Sequence, residues 1–247
     1  MAKTKTDVVK SNEGDQVPAS LLADMEADAA EHGQAFAPDQ LIIPRLTILQ
    51  DLSPQLKERK AEYVAGSKPG DIFNNVTSTL DQEIKFTPAK FNVQYIAWQP
   101  NRGGLVDPNL TKEEVDANFE EVGMGMWKGM IVPRGKDNAI AVEVIETPTW
   151  VGMAKGDGWG PMPVAIAFPS TKAKSARKIN TAIDLAEVAG KNGPIKPPAF
   201  YHQFTLRTAI EQSGENEWFG WTVNHDGIGL DERMILKAKD LKIAFDA

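Results

Sequence analysis

Beyond residue 40, apolar and polar side chains alternate with a period of two over several stretches, which is the mark of half-buried strands. In KFNVQYIAW, Phe91, Val93, Tyr95 and Ala97 fall on one face, and Asn92, Gln94, Ile96 and Trp98 on the other. AIAVEVIETPTWVGM alternates through Ile140, Val142 and Val144. FYHQFTLRTAI and EWFGWTV flank EQSGEN, which reads as a hairpin turn. MPVAIAF is apolar without a break and reads as a strand buried on both faces. KPGDIFN reads as a Pro-Gly turn feeding a short strand. In LIIPRLTILQDLSP, Pro44 rules out one uninterrupted central strand.

Helical spacing appears in fewer places. LTKEEVDANFEE reads as a short acidic helix, following the loop QPNRGGLVDPN. FPSTKAKSARKINTAIDLAE places Ala176, Ile179, Ile183 and Ala186 on one stripe behind a Ser170 or Thr171 cap. A last helix begins near Asp231, with Met234, Ala238, Leu241 and Phe245 aligned. Residues 1–39 are polar, acidic and rich in alanine, with one helical stretch, SLLADMEADAAEH. They read as a flexible, disordered arm ahead of a single domain over 40–247. The expected fold is β-rich (α+β): a curled antiparallel sheet or small barrel with peripheral helices.

Composition narrows the function classes. The chain has no cysteine, which removes disulfides, thiolate nucleophiles and thiolate metal sites and fits a reducing compartment. No apolar run approaches the ~20 residues of a membrane-spanning helix, and the N-terminus lacks the apolar core of a secretion signal. Cytoplasm is the expected location. Net charge is −7, unpromising for a polyanion ligand, but it is unevenly distributed. Residues 1–40 hold three Lys against eight Asp or Glu. Residues 155–207 hold eight basic side chains, among them Lys155, Lys172, Lys174, Arg177, Lys178 and Arg207, against three acidic ones.

Catalytic patterns are scarce. His32, His202 and His225 are far apart in sequence, and no HExxH, GxSxG, Walker or dinucleotide motif occurs. GMGMWKGM lacks the spacing of a phosphate loop. Asp71, Asp81, Glu83, Glu143 and Glu146 form the one carboxylate set from which a nuclease-like Mg²⁺ site is conceivable. No enzyme activity and no cofactor are expected.

Binding chemistry is better supplied. Lys172, Lys174, Arg177 and Lys178 crowd the first two turns of a helix, against the preference of its dipole, where free backbone NH groups and lysines together suit phosphate. Single-strand binding also needs flat rings on which bases stack, beside cations that follow the backbone. Tyr95 and Trp98 near Arg102, Trp159 on the glycine-rich GDGWGP, Arg207 near Tyr201, and Trp221 in the Trp218–Phe219–Trp221 cluster are the candidates.

The stretches IPRLTILQDLSP, KPGDIFN, PVAIAFPSTKAKSARKIN, PPAFYHQFTLRT and EWFGWTV, spanning most of 42–223, resemble a group of tailed-phage early proteins that bind single-stranded DNA. The resemblance implies an OB-like barrel that coats single strands, with little sequence preference, in phage replication or recombination. Its implied partners are single-stranded DNA, replication or recombination proteins, and a further copy of the chain. One departure stands out: such proteins often end in an acidic tail, whereas this chain ends KDLKIAFDA and carries its acidic surplus at the other terminus. Two other readings stay open, a phage structural or host-interaction protein with no nucleic-acid ligand, and a metal-dependent nuclease.

Overall fold

The computed structural model describes residues 8–11, 15–18, 42–101, 103–123 and 125–246. Within the acidic arm it shows a two-stranded antiparallel hairpin, β1 (Val8–Ser11) and β2 (Asp15–Pro18). The helix expected over 20–32 lies outside the described residues.

The rest is built on two long strands, β6 (Glu83–Trp98) and β10 (Ile140–Gly156), paired antiparallel from Glu143↔Trp98 to Lys155↔Lys85. Their inner faces follow alternation, with one switch. Ile84 and Phe86 point inward at even positions, whereas Phe91, Tyr95 and Ala97 do so at odd ones. Ala89 is the extra residue that changes the parity: Val151 pairs with Lys90 and Gly152 with Pro88, leaving Ala89 in a bulge. Pro88 is tolerated there because a bulge interrupts the ladder.

Other strands flank this spine. At its larger end β6 pairs with β14 (His202–Ser213), which pairs with β15 (Asn216–Ile228). On the opposite side β10 pairs with β11 (Trp159–Ala167). β11 pairs in turn with β3 (Arg45–Ile48), which leads to β4 (Ile72–Asn74) and β5 (Leu80–Asp81). The β3–β11 pairing is parallel, so the sheet is mixed rather than purely antiparallel. At the smaller end β6 pairs with β7 (Leu105–Leu110), and β10 with β9 (Met126–Ile131), which carries β8 (Glu120–Glu121). A separate hairpin joins β12 (Val188–Gly190) and β13 (Gly193–Ile195).

The main sheet is strongly curled into a half-barrel. Its helices are α1 (Lys112–Asn118), capped by a Thr111–Glu114 capping box, α2 (Ala173–Asp184) and α3 (Glu232–Asp246). The path β15-β14-β6-β10-β11, with α2 between its third and fourth strands in chain order, has the connectivity of an OB barrel. In that scheme β6 and β10 are strands 1 and 2, and the smaller lobe elaborates the loop between them. α2 plugs the barrel through Ala176 and Ile179, against a core of Phe86, Phe168, Phe204 and Trp221. The stripe read from sequence is therefore the buried one, but the expected cap is absent. Ser170–Lys172 form a 3₁₀ turn with no side-chain cap bond. β11 also departs from expectation: Val164 and Ile166 are fully buried while Pro163 and Ala167 are exposed, so one face alone is core.

The open edge of β15 is closed by side chains. Gln50 Nε2 donates to the Phe219 carbonyl at 2.9 Å, and the Phe219 NH donates to Gln50 Oε1 at 2.9 Å. Ser175 Oγ donates to the Trp221 carbonyl at 2.7 Å. An amide and a hydroxyl thus occupy backbone groups that would otherwise invite another strand.

Candidate nucleic-acid interface

The residues singled out by sequence do not form one surface. Tyr95 faces inward in the smaller lobe, edge-on to Trp127 at 5.6 Å between ring centroids. Lys112 Nζ lies 5.9 Å from the Tyr95 ring and 5.4 Å from that of Trp127. Burial first, then the Glu146 charge, push the Tyr95 hydroxyl above its ordinary pKa. Trp98 is half-exposed on the opposite, solvent-facing side of that sheet, between Leu105 and Glu143. Arg102 lies outside the described residues.

Two expected stacking platforms are core residues. Trp159 opens β11 and is only 8% exposed; its Nε1 donates to Asp81 Oδ2 at 2.9 Å. The glycines around it do not lift it into solvent. Gly156 makes room for the indole, because a methyl there would collide with Trp159 Nε1 and Asp81 Oδ1. Trp221 is 4% exposed, with its ring centroid 6.2 Å from that of Phe168. Neither ring can stack on a base while the barrel is intact.

The helical cations also divide. Lys172 is half-buried, and burial lowers its pKa while Glu211 opposes that shift. Lys174 Nζ is 2.8 Å from Glu211 Oε2, which also accepts from Trp218 Nε1 at 3.1 Å. Arg177 and Lys178 are exposed and have no ion pair among the described residues. Arg207 is paired with Glu83. Trp150, whose Nε1 donates to Asn180 of α2 at 2.9 Å, and Glu143, opposite Trp98, are seven residues apart on β10. At about 3.3 Å per residue, roughly 23 Å separates the two groups.

Reading by motif missed a different group. On the outer face of β6 and β10, Lys85 sits directly opposite Lys155, and Lys90 follows beyond the bulge. Carboxylates answer all three. Lys85 Nζ lies 3.1 Å from Asp226, Lys155 2.6 Å from Asp231, and Lys90 3.0 Å from Asp246. Burial raises the Asp226 pKa, but hydrogen bonds from Thr205, Lys85 and Asn224 outweigh it and leave the group below its usual value. The Lys155 hydrogen bond is the main cause of the lowered Asp231 pKa. Placing Lys85 and Lys155 on the solvent side of their strands was the available sequence signal.

The carboxylates considered for a metal are dispersed. Asp71 accepts from the Lys68 NH at 2.7 Å and from Gln82; Asp81 holds Trp159; Glu83 meets Arg207; Glu143 meets Lys128 at 3.3 Å. Among the described residues no three His, Asp or Glu side chains are grouped to hold a metal ion. Among them, too, no helix is long and apolar enough to cross a membrane.

Remote in sequence, the two C-terminal histidines meet. His202 Nε2 faces the Pro197 carbonyl at 3.3 Å and, since a carbonyl only accepts, carries the proton. In neutral His202, Nδ1 then accepts from His225 Nε2 at 3.1 Å. Burial is the main cause of a lowered His202 pKa; the Pro197 carbonyl pulls it up and His225 pushes it down. A histidine held neutral in the fold but protonated in the unfolded chain makes stability fall as pH drops below its ordinary value of about 6.5. The contribution is complete above that value and is lost toward the folded pKa, at no more than about 1.4 kcal/mol per pH unit. Urea midpoints measured at about pH 7.5 and about pH 5.5 should therefore decrease, and decrease less in His202→Phe. An equal decrease in both proteins would remove His202 as the cause. Asp226 and Asp231, with lowered pKa values, act in a separate window, below their unfolded values of about 4.

Comparison with known proteins adds one finding. A family model described as Pam3 phage gp34-like protein matches residues 11–247. No curated protein and no solved structure matches the chain. The match takes in the second strand of the arm hairpin, the half-barrel and the whole of α3, and the chain belongs to the Pam3 phage gp34-like protein family.

Proposed function

We propose that this phage-family protein binds single-stranded DNA without catalysis, along the outer face of β6, β10 and β11 and onto the smaller lobe. The observation that carries the reading is the OB-like connectivity, since such barrels bind oligonucleotides on the face of strands 2 and 3 and the loops beside it. The fold supplies the location, and the residues on it supply the chemistry. Lys155 of strand 2 lies on that face, Lys85 and Lys90 continue it on the neighbouring strand 1, and the half-exposed Trp98 ends strand 1 at the smaller lobe. Beside Trp98 a cleft of about 520 Å³ is lined by Gln99, Lys136 and Asn138, whose amides and ammonium suit the polar edges of unpaired bases.

Titration with oligo(dT) should quench tryptophan fluorescence and retard the protein–DNA complex in a gel. Three phosphate contacts give a slope of about −2 for log affinity against log salt. Trp98→Ala should weaken binding by about 1–3 kcal/mol. Absence of both quenching and gel shift at low salt would overturn the reading.

One observation favours a protein-interaction role instead. A groove of about 410 Å³ beside the β14–β15 hairpin is lined by Asp51, Ile210, Glu217 and Trp218, and Ile210 is 64% exposed. Its negative and apolar lining repels DNA and suits a protein partner. The same titration separates the two readings, because a protein-interaction role predicts no response to oligo(dT).

A further inference from the structure

We propose that the C-terminal helix α3 gates the DNA-binding face, with Asp231 and Asp246 occupying the positions on Lys155 and Lys90 that DNA phosphates take. The inference rests on the single-strand reading above and names how that site is regulated.

Helix α3 lies across the outer face of strands 1, 2 and 3 of the OB-like path. Met234 and Ala238 are buried against Ala89 and Met153, on the side of the sheet away from the main core. Lys237 Nζ reaches the Pro161 carbonyl at 3.5 Å, over β11. The helix therefore covers the surface where an oligonucleotide would lie.

Its attachment mimics the ligand. Asp231, which also accepts the Met234 NH at 3.0 Å at the start of the helix, holds Lys155 at 2.6 Å. At the far end, Lys90 Nζ is 3.0 Å from Asp246 and donates to the Phe245 carbonyl at 2.8 Å. Two anionic groups clamp two ammonium groups at the ends of one helix. Phosphate oxygens make the same charge-assisted contacts with lysine.

The seat beneath is also thin. Its buried set is Ala89, Met153, Met234 and Ala238, two of them alanines, against the sixteen buried residues of the main core. Exposed ion pairs of this sort are individually weak and screened by salt. Leaving the sheet would expose only this small set, with Phe200 and Leu241 at its margin, and would free Lys155 and Lys90. The barrel core, on the other face, would be untouched.

Because the natural chain has no cysteine, a single engineered pair can lock the helix. In full-length Ala89→Cys/Ala238→Cys, oxidation should weaken oligo(dT) binding about tenfold or more, and reduction should restore it. In Asp231→Asn/Asp246→Asn, which keeps an Asn cap at 231, binding should tighten about fivefold. Hydrogen exchange of the α3 amides should speed up when oligo(dT) is added to the wild-type protein. Equal affinity in oxidised and reduced forms, with no gain in the Asn variant, overturns the gate and leaves DNA binding standing. No binding by any form, wild type included, overturns the single-strand reading and the gate with it. Should the cysteine pair fail to fold, the Asn variant and the exchange measurement decide.

Discussion

Trp159→Ala is expected to lower the unfolding free energy by about 4–8 kcal/mol, enough to unfold a protein of ordinary stability or bring it to the edge. Removing a buried indole costs about 3–5 kcal/mol through lost burial and the cavity left behind. A further 1–3 kcal/mol, roughly, comes from taking a hydrogen-bond donor away from the buried carboxylate of Asp81. That carboxylate accepts from Trp159 Nε1 at 2.9 Å and from the Asp157 NH at 3.0 Å, so one side chain fixes both the turn and the ring at the start of β11. Trp159→Phe separates the two contributions: it keeps most of the ring volume and loses the NH. Its cost should be about 1–3 kcal/mol. Urea unfolding followed by far-UV circular dichroism measures both. A Trp159→Ala protein with an unchanged midpoint and weakened oligo(dT) binding would return Trp159 to the role of a stacking platform.

Trp159 also shows where reading the sequence succeeds and where it stops. Alternation located the long strands and grouped Phe91, Tyr95 and Ala97 on one face; that this face is the core side, which removes Tyr95 from the stacking candidates, is shown only by the fold. Helical spacing located the seats of α2 and α3, with Ala176 and Ile179 buried in one and Met234 and Ala238 in the other. These signals are local, since a period of two or of 3.6 is complete within a few residues. The glycines of GDGWGP carry no such direction. A glycine beside a tryptophan suits a solvent-exposed loop and suits equally a ring pressed onto bare backbone, and only Asp81, far away in sequence, decides between them. β9 escaped for a related reason. GMGMWKGM looks like a failed phosphate loop until Val142 and Val144 of β10 are set beside Trp127 and Ile131.

The candidate site was legible in kind and not in place. Lysines and tryptophans were there to be counted, but pairing depends on partners from other strands. Glu211 takes Lys174, Glu83 takes Arg207, and α3 brings Asp231 and Asp246 to Lys155 and Lys90. Each pair joins residues remote in sequence, so charge density along the chain overstated the free charge on α2. It also gave no sign of the cation row on the outer face. Net charge per segment is a property of composition; a binding surface is a property of register.

Register gives the second large effect. Gly152→Ala is expected to destabilise the protein by about 3 kcal/mol or more, although it adds one methyl group to a residue most sheets would accept as alanine. Gly152 lies opposite Pro88, where the Ala89 bulge draws the two long strands close. A methyl at 152 would overlap the Thr87 carbonyl oxygen and stand 2.8 Å from two atoms of the Phe86 ring. Phe86 is fully buried in the main core, and Thr87 belongs to the ladder, so neither can yield without disturbing β6. Relief must come from widening the bulge, which would disturb the inward set of Phe91 and Trp150 next to it, rings 5.1 Å apart between centroids. At Gly160, where an added methyl meets nothing within 4 Å, alanine should change stability by less than about 0.5 kcal/mol and serves as the control. Thermal melts of the two variants side by side decide it. If Gly152→Ala melts with Gly160→Ala, the close approach at the bulge is not what sets the parity of β6.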